Sequence, residues 1–521
     1  MKEEANKEDG METTRRNFIA GAATMGIAAM GATLFGCAPQ SQAGGQDPAQ
    51  AGLADGSLSW DEEADVVVVG GGGAGGAAAY AAAKEGAKVV VLESMANTAF
   101  SSTSLCGGYM TLVDSEEQRE QGIEDTPDAL VADLKSWGID IDEGVVRRYG
   151  ELGHDYSLIL QELGVAKSTD VITKAPGSSI ARTLTLDPKD HQQKLTDAAQ
   201  AAGADYRFET EGTRLVVDGG KVMGVVGKSG SKEIRFRANK AVILATGGFT
   251  SCPDLLEKCM KGLSGIKSMA CPAHTGLMHY AAFNLGAQFD GIPWIYANEG
   301  MHPTASDMNG YANLFVYGAV KVNANGKRYV NEGMFIGNAM TRALLDQPMK
   351  DEEYFNYQIM DQKAYDLAAK AGKPLGVFEE NKGLFVQADT YEELAEKLGA
   401  PDLPAAMARY NEDMNATGVD SAFGRDVLYG QGTGAPFALD TPPFYAFANV
   451  PWLAYDPVTT FVVNADSQLL DQYGTPIEGV YAVGEIALRP TLGNVYCQGA
   501  ATGAGACFGM QAGRAAAHRG E

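Results

Sequence analysis

The stretch from Asp65 to Glu93 constrains this chain more than any other. It opens with Asp65-Val66-Val67-Val68-Val69 and runs through Gly70-Gly71-Gly72-Gly73-Ala74-Gly75-Gly76 into an alanine-rich segment. It closes with a second valine-rich run, Lys88 to Leu92, and then Glu93. Valines at successive positions suit a strand covered on both faces, as in a parallel sheet, and not a strand with one wet face. Gly70, Gly72 and Gly75 form G-x-G-x-x-G between that strand and a helix expected from Ala77 to about Glu85. Gly70 permits the tight turn, Gly72 lets the backbone approach a pyrophosphate, and Gly75 lets helix and strand pack closely. Gly73 and Ala74 lie where the helix N-terminus stabilises phosphate charge. Glu93, 18 residues after Gly75, can accept ribose hydroxyls, with Ser94 beside it. Strand, glycine loop, helix, strand and terminal acid in this order define a dinucleotide site. The motif alone does not separate NAD from FAD.

The 521 residues are too many for one ordinary core and imply roughly two folding units. The net charge of −25 argues against a protein that tracks nucleic-acid phosphates, and suits docking to a basic electron-transfer partner. The seven cysteines include no C-x-x-C pair, which leaves structural zinc, an iron–sulfur run and a covalent haem unsupported. No metal site is expected. Redox chemistry must come from a bound organic cofactor.

Ahead of the folded part, Thr14-Arg15-Arg16-Asn17-Phe18-Ile19 precedes an uncharged run from Phe18 to Gly36. It resembles a twin-arginine export signal. The run is about long enough for a membrane span, but its Gly/Ala content makes a weak anchor. Leu34-Phe35-Gly36-Cys37 resembles a lipobox and points to lipidation of Cys37. Residues 1–37 are read as this signal and 38–59 as a flexible linker rich in Gln, Gly, Ala, Ser and Pro. The expected location is the cell envelope or the extracytoplasmic face of the membrane.

Ala241 to Gly248 reads as a buried strand ending in a small-residue turn, Gly479 to Glu485 as another, and Gly499 to Gly513 as a helix start dense in Gly and Ala. Together with the opening motif these resemble the flavoproteins of the fumarate reductase and 3-ketosteroid dehydrogenase type, over about residues 60–520. Thr275-Gly276, Gly286-Ala287 and Gly318 to Glu332 match further blocks of that family. The resemblance implies an α/β fold, with a Rossmann-like FAD-binding domain (60–298 plus 459–521) and an inserted α+β cap, the substrate domain (299–458). It implies FAD as cofactor, with Ser101, Thr103, Gly107 and Gly108 wrapping it after the acid. Thr213, Ala245, Thr246 and Gly247, and near the C-terminus Gly499, Ala501 and Thr502, join the same site, and Glu485 is expected on the ribityl chain. No second G-x-G-x-x-G is visible, so a dedicated NAD(P)H site is not indicated.

In fumarate reductases a dicarboxylate is held by His, Thr-Glu and Arg side chains, and an Arg protonates the substrate carbon. Here His302-Pro303-Thr304 matches the His-Pro-Thr block. The Thr-Glu pair falls on Tyr311 and Ala312, the proton-donating Arg on Ile336, the second His on Val458, and the C-terminal Arg on Tyr496. Leaving two carboxylates without cationic partners costs several kcal/mol each, so fumarate is not the expected substrate. Arg342 substitutes as donor only if Gly333–Met340 is an insertion; otherwise it is a solvated helix charge. Tyr496 resembles the tyrosine that exchanges a proton beside the carbonyl in the 3-ketosteroid Δ4-dehydrogenase branch. Its phenol, pKa about 10, can deliver a proton to an enolate; alternatively it is an aromatic lid on the flavin. His302 reads as a substrate contact or a structural histidine. His274 and His279 read as structural, Tyr296, Tyr311 and Tyr317 as pocket lining or core, and Arg489 as a flavin or substrate contact or a helix cap.

The expectation is an exported FAD-dependent ene-reductase acting on a C=C bond conjugated to a carbonyl in a neutral or singly charged enone, such as a 3-oxo-Δ4 steroid or an aryl enone. Hydride comes from flavin N5, a proton from Tyr496, and electrons from a separate multihaem cytochrome or quinol-linked partner. The alternatives are a dehydrogenase running the reverse reaction, a reductase of an acrylate-type carboxylate, and a non-catalytic flavin-containing ligand-binding lipoprotein.

Overall fold

The computed structural model describes residues 59–136, 140–175, 178–259, 262–290, 297–305, 312–333, 339–371, 382–428, 434–453, 460–488 and 497–520. The signal and nearly all of the linker therefore lie outside the described residues. Among those described, no helix is long and apolar enough to cross a membrane.

The central sheet contains β1 (Glu62–Val69), β2 (Val89–Leu92), β3 (Asp205–Arg207), β4 (Glu211–Asp218), β5 (Lys221–Ser229), β6 (Lys232–Leu244), β7 (Gln468–Leu470) and β8 (Pro476–Ala482). Its order is β7-β8-β6-β1-β2-β3, with β5 on β6 and β4 on β5. The valine run lies in the middle: Val67 is beside Val90 on one flank and Val242 on the other, both pairings parallel. Val66 and Val68 face one apolar core, Val67 and Val69 the other, so each valine is covered whichever way it points. β8 joins β6 in parallel at Val480 and Val242, which brings the end of the chain into the sheet its beginning started.

The first helix spans Gly73–Lys84 and starts four residues before the expected Ala77. Gly73, Gly75 and Gly76 therefore lie inside it, where glycine ordinarily costs stability. Close packing explains them. A Cβ on Gly75 would overlap the Gly70 carbonyl, and one on Gly76 would press on Leu195 at 3.0 Å. The C-terminal helix Ala500–Ala517 lies against the first, with Gly509 and Gly513 set directly on the Ala74 and Ala78 carbonyls.

A second body is built from antiparallel strands. Ala297–Met301, Phe444–Leu453, Asn356–Met360 and Val320–Asn323 pair in that order, and Val386–Ala388 adds to Phe444–Leu453. Helices Gln362–Ala371, Tyr391–Leu398 and Leu403–Thr417 accompany them. Thr390 caps the second of these by accepting the Glu393 amide at 3.1 Å, and Gly399 ends it in the left-handed region. The core of this body is drawn from residues between Met301 and Trp452. Beneath it Arg328 pairs with Glu332 (2.8 Å) and Asp420, while Arg425 binds the Ala319 and Phe315 carbonyls at 3.0 Å. All four charged side chains are buried.

Candidate functional site

A crevice opens at the carboxyl ends of β1, β2 and β6. The glycine loop after β1 forms its floor. Gly70 adopts φ +99° and has no room for a side chain beneath Ala245. Gly72 and Gly73 line the crevice with Ala74 above them, while Gly75 supports the loop from behind. Gly72 precedes the first helix without a side-chain cap, and the first turn holds no acid. Such a terminus leaves donor N–H groups and a positive dipole end for an anion. Thr103 Oγ1 accepts the Gly73 amide at 3.0 Å and so fixes one side of that terminus.

Glu93, 8% exposed, sits at the end of β2. Its Oε2 accepts the Gly71 amide and its Oε1 the Met95 amide, both at 2.8 Å. Burial pushes its carboxyl above the usual range, against these hydrogen bonds. A carboxylate has about four lone-pair directions, so Glu93 can hold the loop and still accept from a ribose. Ser94 lines the crevice and gives Glu93 a long hydroxyl contact of 3.4 Å.

Other expected residues arrive from three further segments. Ser101 and Thr103 line the crevice, whereas Gly107 and Gly108 lie beyond it; Gly108, at φ +76°, packs on the Leu186 carbonyl. Ala245, Thr246 and Gly247 follow β6 into the crevice, and Glu485 enters after β8. Ala501 and Thr502 reach it from the C-terminal helix, while Gly499 (φ +79°) starts that helix against Thr111. Thr213 is elsewhere: it lies on β4 with its hydroxyl donated to the Val226 carbonyl at 3.1 Å, and its neighbours Glu211 and Gly212 face the crevice instead. A bulge decides this: the register of β4 on β5 shifts between Gly212 and Arg214, which takes Thr213 out of the strand's regular alternation.

Two histidines of the crevice, and Gln192 behind its glycine loop, are among the residues that the sequence does not mark as cofactor contacts. His274, expected to be structural, lines it, with Nε2 3.1 Å from Ser102 Oγ. Gln192 reaches across 121 residues to donate to the Gly71 carbonyl at 3.0 Å, and its Oε1 accepts from Ser101 Oγ. His191 also lines the crevice, with Nε2 2.9 Å from Tyr156 Oη. No sequence spacing marks these residues. His279 is structural as expected, enclosed by the Phe249 and Phe461 rings.

In the second body, His302 is half-buried beside Phe447, the ring centroids 5.3 Å apart. The Thr304 amide donates to its Nδ1 at 3.3 Å, so Nδ1 is the acceptor and Nε2 carries the proton of the neutral ring. Burial holds its pKa below the usual histidine value. Arg342 stands on the helix Ala339–Leu345 with an exposed side chain, and Tyr317 is half-buried. Tyr496, Arg489, Tyr296, Tyr311, Ile336 and Val458 lie outside the described residues. Among the described residues no cluster of His, Cys, Asp and Glu could hold a metal ion.

The residues present fit a flavin dinucleotide. The uncapped helix terminus answers the diphosphate, Glu93 answers the ribose, and Thr246 Oγ1 is buried without a hydrogen-bond partner on the crevice wall. An orphaned hydroxyl of this kind costs about 1–3 kcal/mol unless a ligand satisfies it. Residues 65–507 match the FAD binding domain model, and the chain belongs to that family; its cofactor is FAD. A probable fumarate reductase of Shewanella frigidimarina, Ifc3, is 28% identical over 77% of this chain and 66% of its own. The acrylate reductase flavoprotein subunit of Shewanella woodyi is 26% identical over 91% of this chain and 92% of its own. Among solved structures, the open conformation of a flavocytochrome c3 fumarate reductase superposes with a TM-score of 0.71 at 26% identity, over 88% of this chain and 78% of that one. The chain spans as little as 28% of the length of other curated relatives it matches.

Proposed function

We propose that this chain is an exported FAD-dependent reductase of a carbon–carbon double bond conjugated to a carbonyl, on a substrate bearing at most one carboxylate. Relatives named as reductases of fumarate and of acrylate support the C=C chemistry. The observation that carries the substrate class is the state of the cap's buried arginines. The terminal guanidinium nitrogens of Arg328 and Arg425 are engaged by Glu332, Asp420 and backbone carbonyls, and only the buried Nε of each lacks a partner, so neither can clamp a substrate carboxylate without breaking a buried network. His302, neutral and with its Nε2–H directed away from Thr304, can donate one hydrogen bond to a substrate carbonyl.

Bound FAD supplies a hydride to the β-carbon of such an enone. The proton for the neighbouring carbon comes from the Tyr496 hydroxyl. The segment following Tyr496 is firmly held: Thr111 Oγ1 donates to the Gln498 carbonyl at 2.8 Å and the Thr111 amide to the Gly499 carbonyl at 2.9 Å. Tyr149 Oη in turn donates to the Thr111 carbonyl. These anchors lie two and three residues past Tyr496, and directed proton transfer requires a donor held in place. Electrons arrive from a separate extracytoplasmic cytochrome or quinol-linked donor, in keeping with the export motif and the net charge of −25. The end-to-end match with the acrylate reductase subunit favours, as a second reading, a small acrylate-type carboxylate over a steroid-sized enone.

The test is anaerobic. Reduced holoprotein is mixed with fumarate, acrylate, cinnamates and 3-oxo-Δ4 steroids, and flavin reoxidation is followed with Tyr496→Phe alongside. Rapid reoxidation by a neutral enone or a monocarboxylate, slowed by about 100-fold or more in the variant, supports the proposal. Fumarate as the fastest oxidant sinks it.

A further inference from the structure

His274 has no part in that reaction, yet it occupies a chosen place. It is 4% exposed, its ring lies in the space left by the absent side chain of Gly247, and it faces the crevice. Nε2 is 3.1 Å from Ser102 Oγ and 3.9 Å from Glu485 Oε2, and Nδ1 is 3.4 Å from Thr250 Oγ1. Ser102 adjoins Thr103, the residue that binds the Gly73 amide. One step along the chain thus connects the imidazole to the helix terminus where the diphosphate belongs.

We propose that His274 is an ionisable latch for the cofactor: neutral before FAD binds, it takes one proton from solvent as the diphosphate enters and returns it when FAD leaves. Its surroundings suit both states. The Ser102 and Thr250 hydroxyls can each donate or accept, and the Glu485 carboxylate only accepts, so a second ring N–H would strand no donor. Burial opposes the charge and holds the pKa down, while Glu485 pulls it up. Phosphate charge delivered into the same low-dielectric space shifts that balance toward imidazolium. His279 makes the contrast: it lies behind His274, both ring nitrogens lack hydrogen-bond partners, and aromatic rings enclose it. The other titratable groups on the crevice are Glu93, Glu211, Cys106, Cys271 and His191. Of these Glu93, Cys106 and Cys271 are pushed up by burial and His191 down to about 4. The inference rests on FAD occupying the crevice and not on any substrate, so it is tested without one.

The measurement is the rate of FAD release from diluted holoprotein, read by flavin fluorescence across pH. A base whose pKa rises on binding strengthens the complex at low pH and loses that contribution as pH climbs through the bound-state pKa. Wild-type release should therefore accelerate with pH, by up to about tenfold per unit. His274→Gln, which cannot charge, should release FAD faster with a flat profile over that range, and His274→Lys, permanently charged, should release slowly and also flatly. A His274→Gln profile as steep as wild type overturns the proposal. Should that variant emerge without flavin, His274→Lys decides: slow, flat release supports the latch, and a wild-type slope or absent flavin overturns it.

Discussion

Glu93 Oε2 and the Gly71 amide, 22 residues apart in the chain, are joined by a 2.8 Å hydrogen bond. The acid that the sequence marks as a ribose contact thus has an earlier task, holding the glycine loop in the shape that admits a diphosphate. Its other oxygen, on the Met95 amide, fixes the turn beyond β2.

Replacing Glu93 by Gln sets an amide N–H₂ against one of two backbone donors. Hydrogen bonds to charged groups contribute about 1.5–3 kcal/mol, so the FAD dissociation constant should rise by about 10- to 100-fold. Equilibrium dialysis of FAD measures it. An unchanged constant would mean that the loop keeps its shape without the acid.

Two glycines separate steric from conformational demand. Gly509 is helical and rests on the Ala74 carbonyl, whereas Gly86 has φ +83° and nothing within 4 Å of an added Cβ. Gly86→Ala should cost only left-handed backbone strain, about 1–2 kcal/mol. Gly509→Ala must move one helix off the other, about 1–3 kcal/mol or more. Because Ala74 lines the crevice, Gly509→Ala alone should also speed FAD release. Thermal melts and flavin fluorescence on both variants check the contrast.

Arg182, 1% exposed, holds Asp125 at 2.8 Å and Asp133 at 2.6 Å. Arg182→Met strands two buried carboxylates and should destabilise by about 3–5 kcal/mol, seen as a lower urea midpoint. A loss under 1 kcal/mol would show that solvent reaches the cluster.

Burial depresses His279 to about 3 and His191 to about 4 from an ordinary value near 6.5. A base with a lowered folded pKa adds nothing above its unfolded value and destabilises as pH falls below it. The apoprotein should therefore melt at progressively lower temperature from about pH 6.5 down toward pH 4. His279→Leu, in its aromatic enclosure, should flatten part of that fall and leave neutral-pH stability within about 1.5 kcal/mol of wild type. A melting profile in which His279→Leu tracks wild type throughout acid would count against this origin.

The sequence by itself determined the dinucleotide unit. Val66–Val69, the glycine loop and Glu93 lie within 30 residues, and their order is a local code: continuous apolar residues demand burial on both faces, and Gly70 and Gly75 are required where backbone meets backbone. It also placed Ala245–Gly247 and Glu485 at strand ends, because short apolar runs followed by small residues read in the same way. Helix onset was less legible: Gly73 begins the helix because tertiary contact with Gly70, Thr103 and Leu195 outweighs the low helix propensity of glycine. Only the tertiary structure decided which side chains close the site. Ser102 meets His274 across 172 residues and Gln192 meets Gly71 across 121, and no periodicity records such encounters. The same holds for Thr213, whose neighbours reached the crevice while it did not. The bulge between Gly212 and Arg214 in the pairing of β4 with β5 turns Thr213 out of line, and nothing in the residue pattern of β4 announces it.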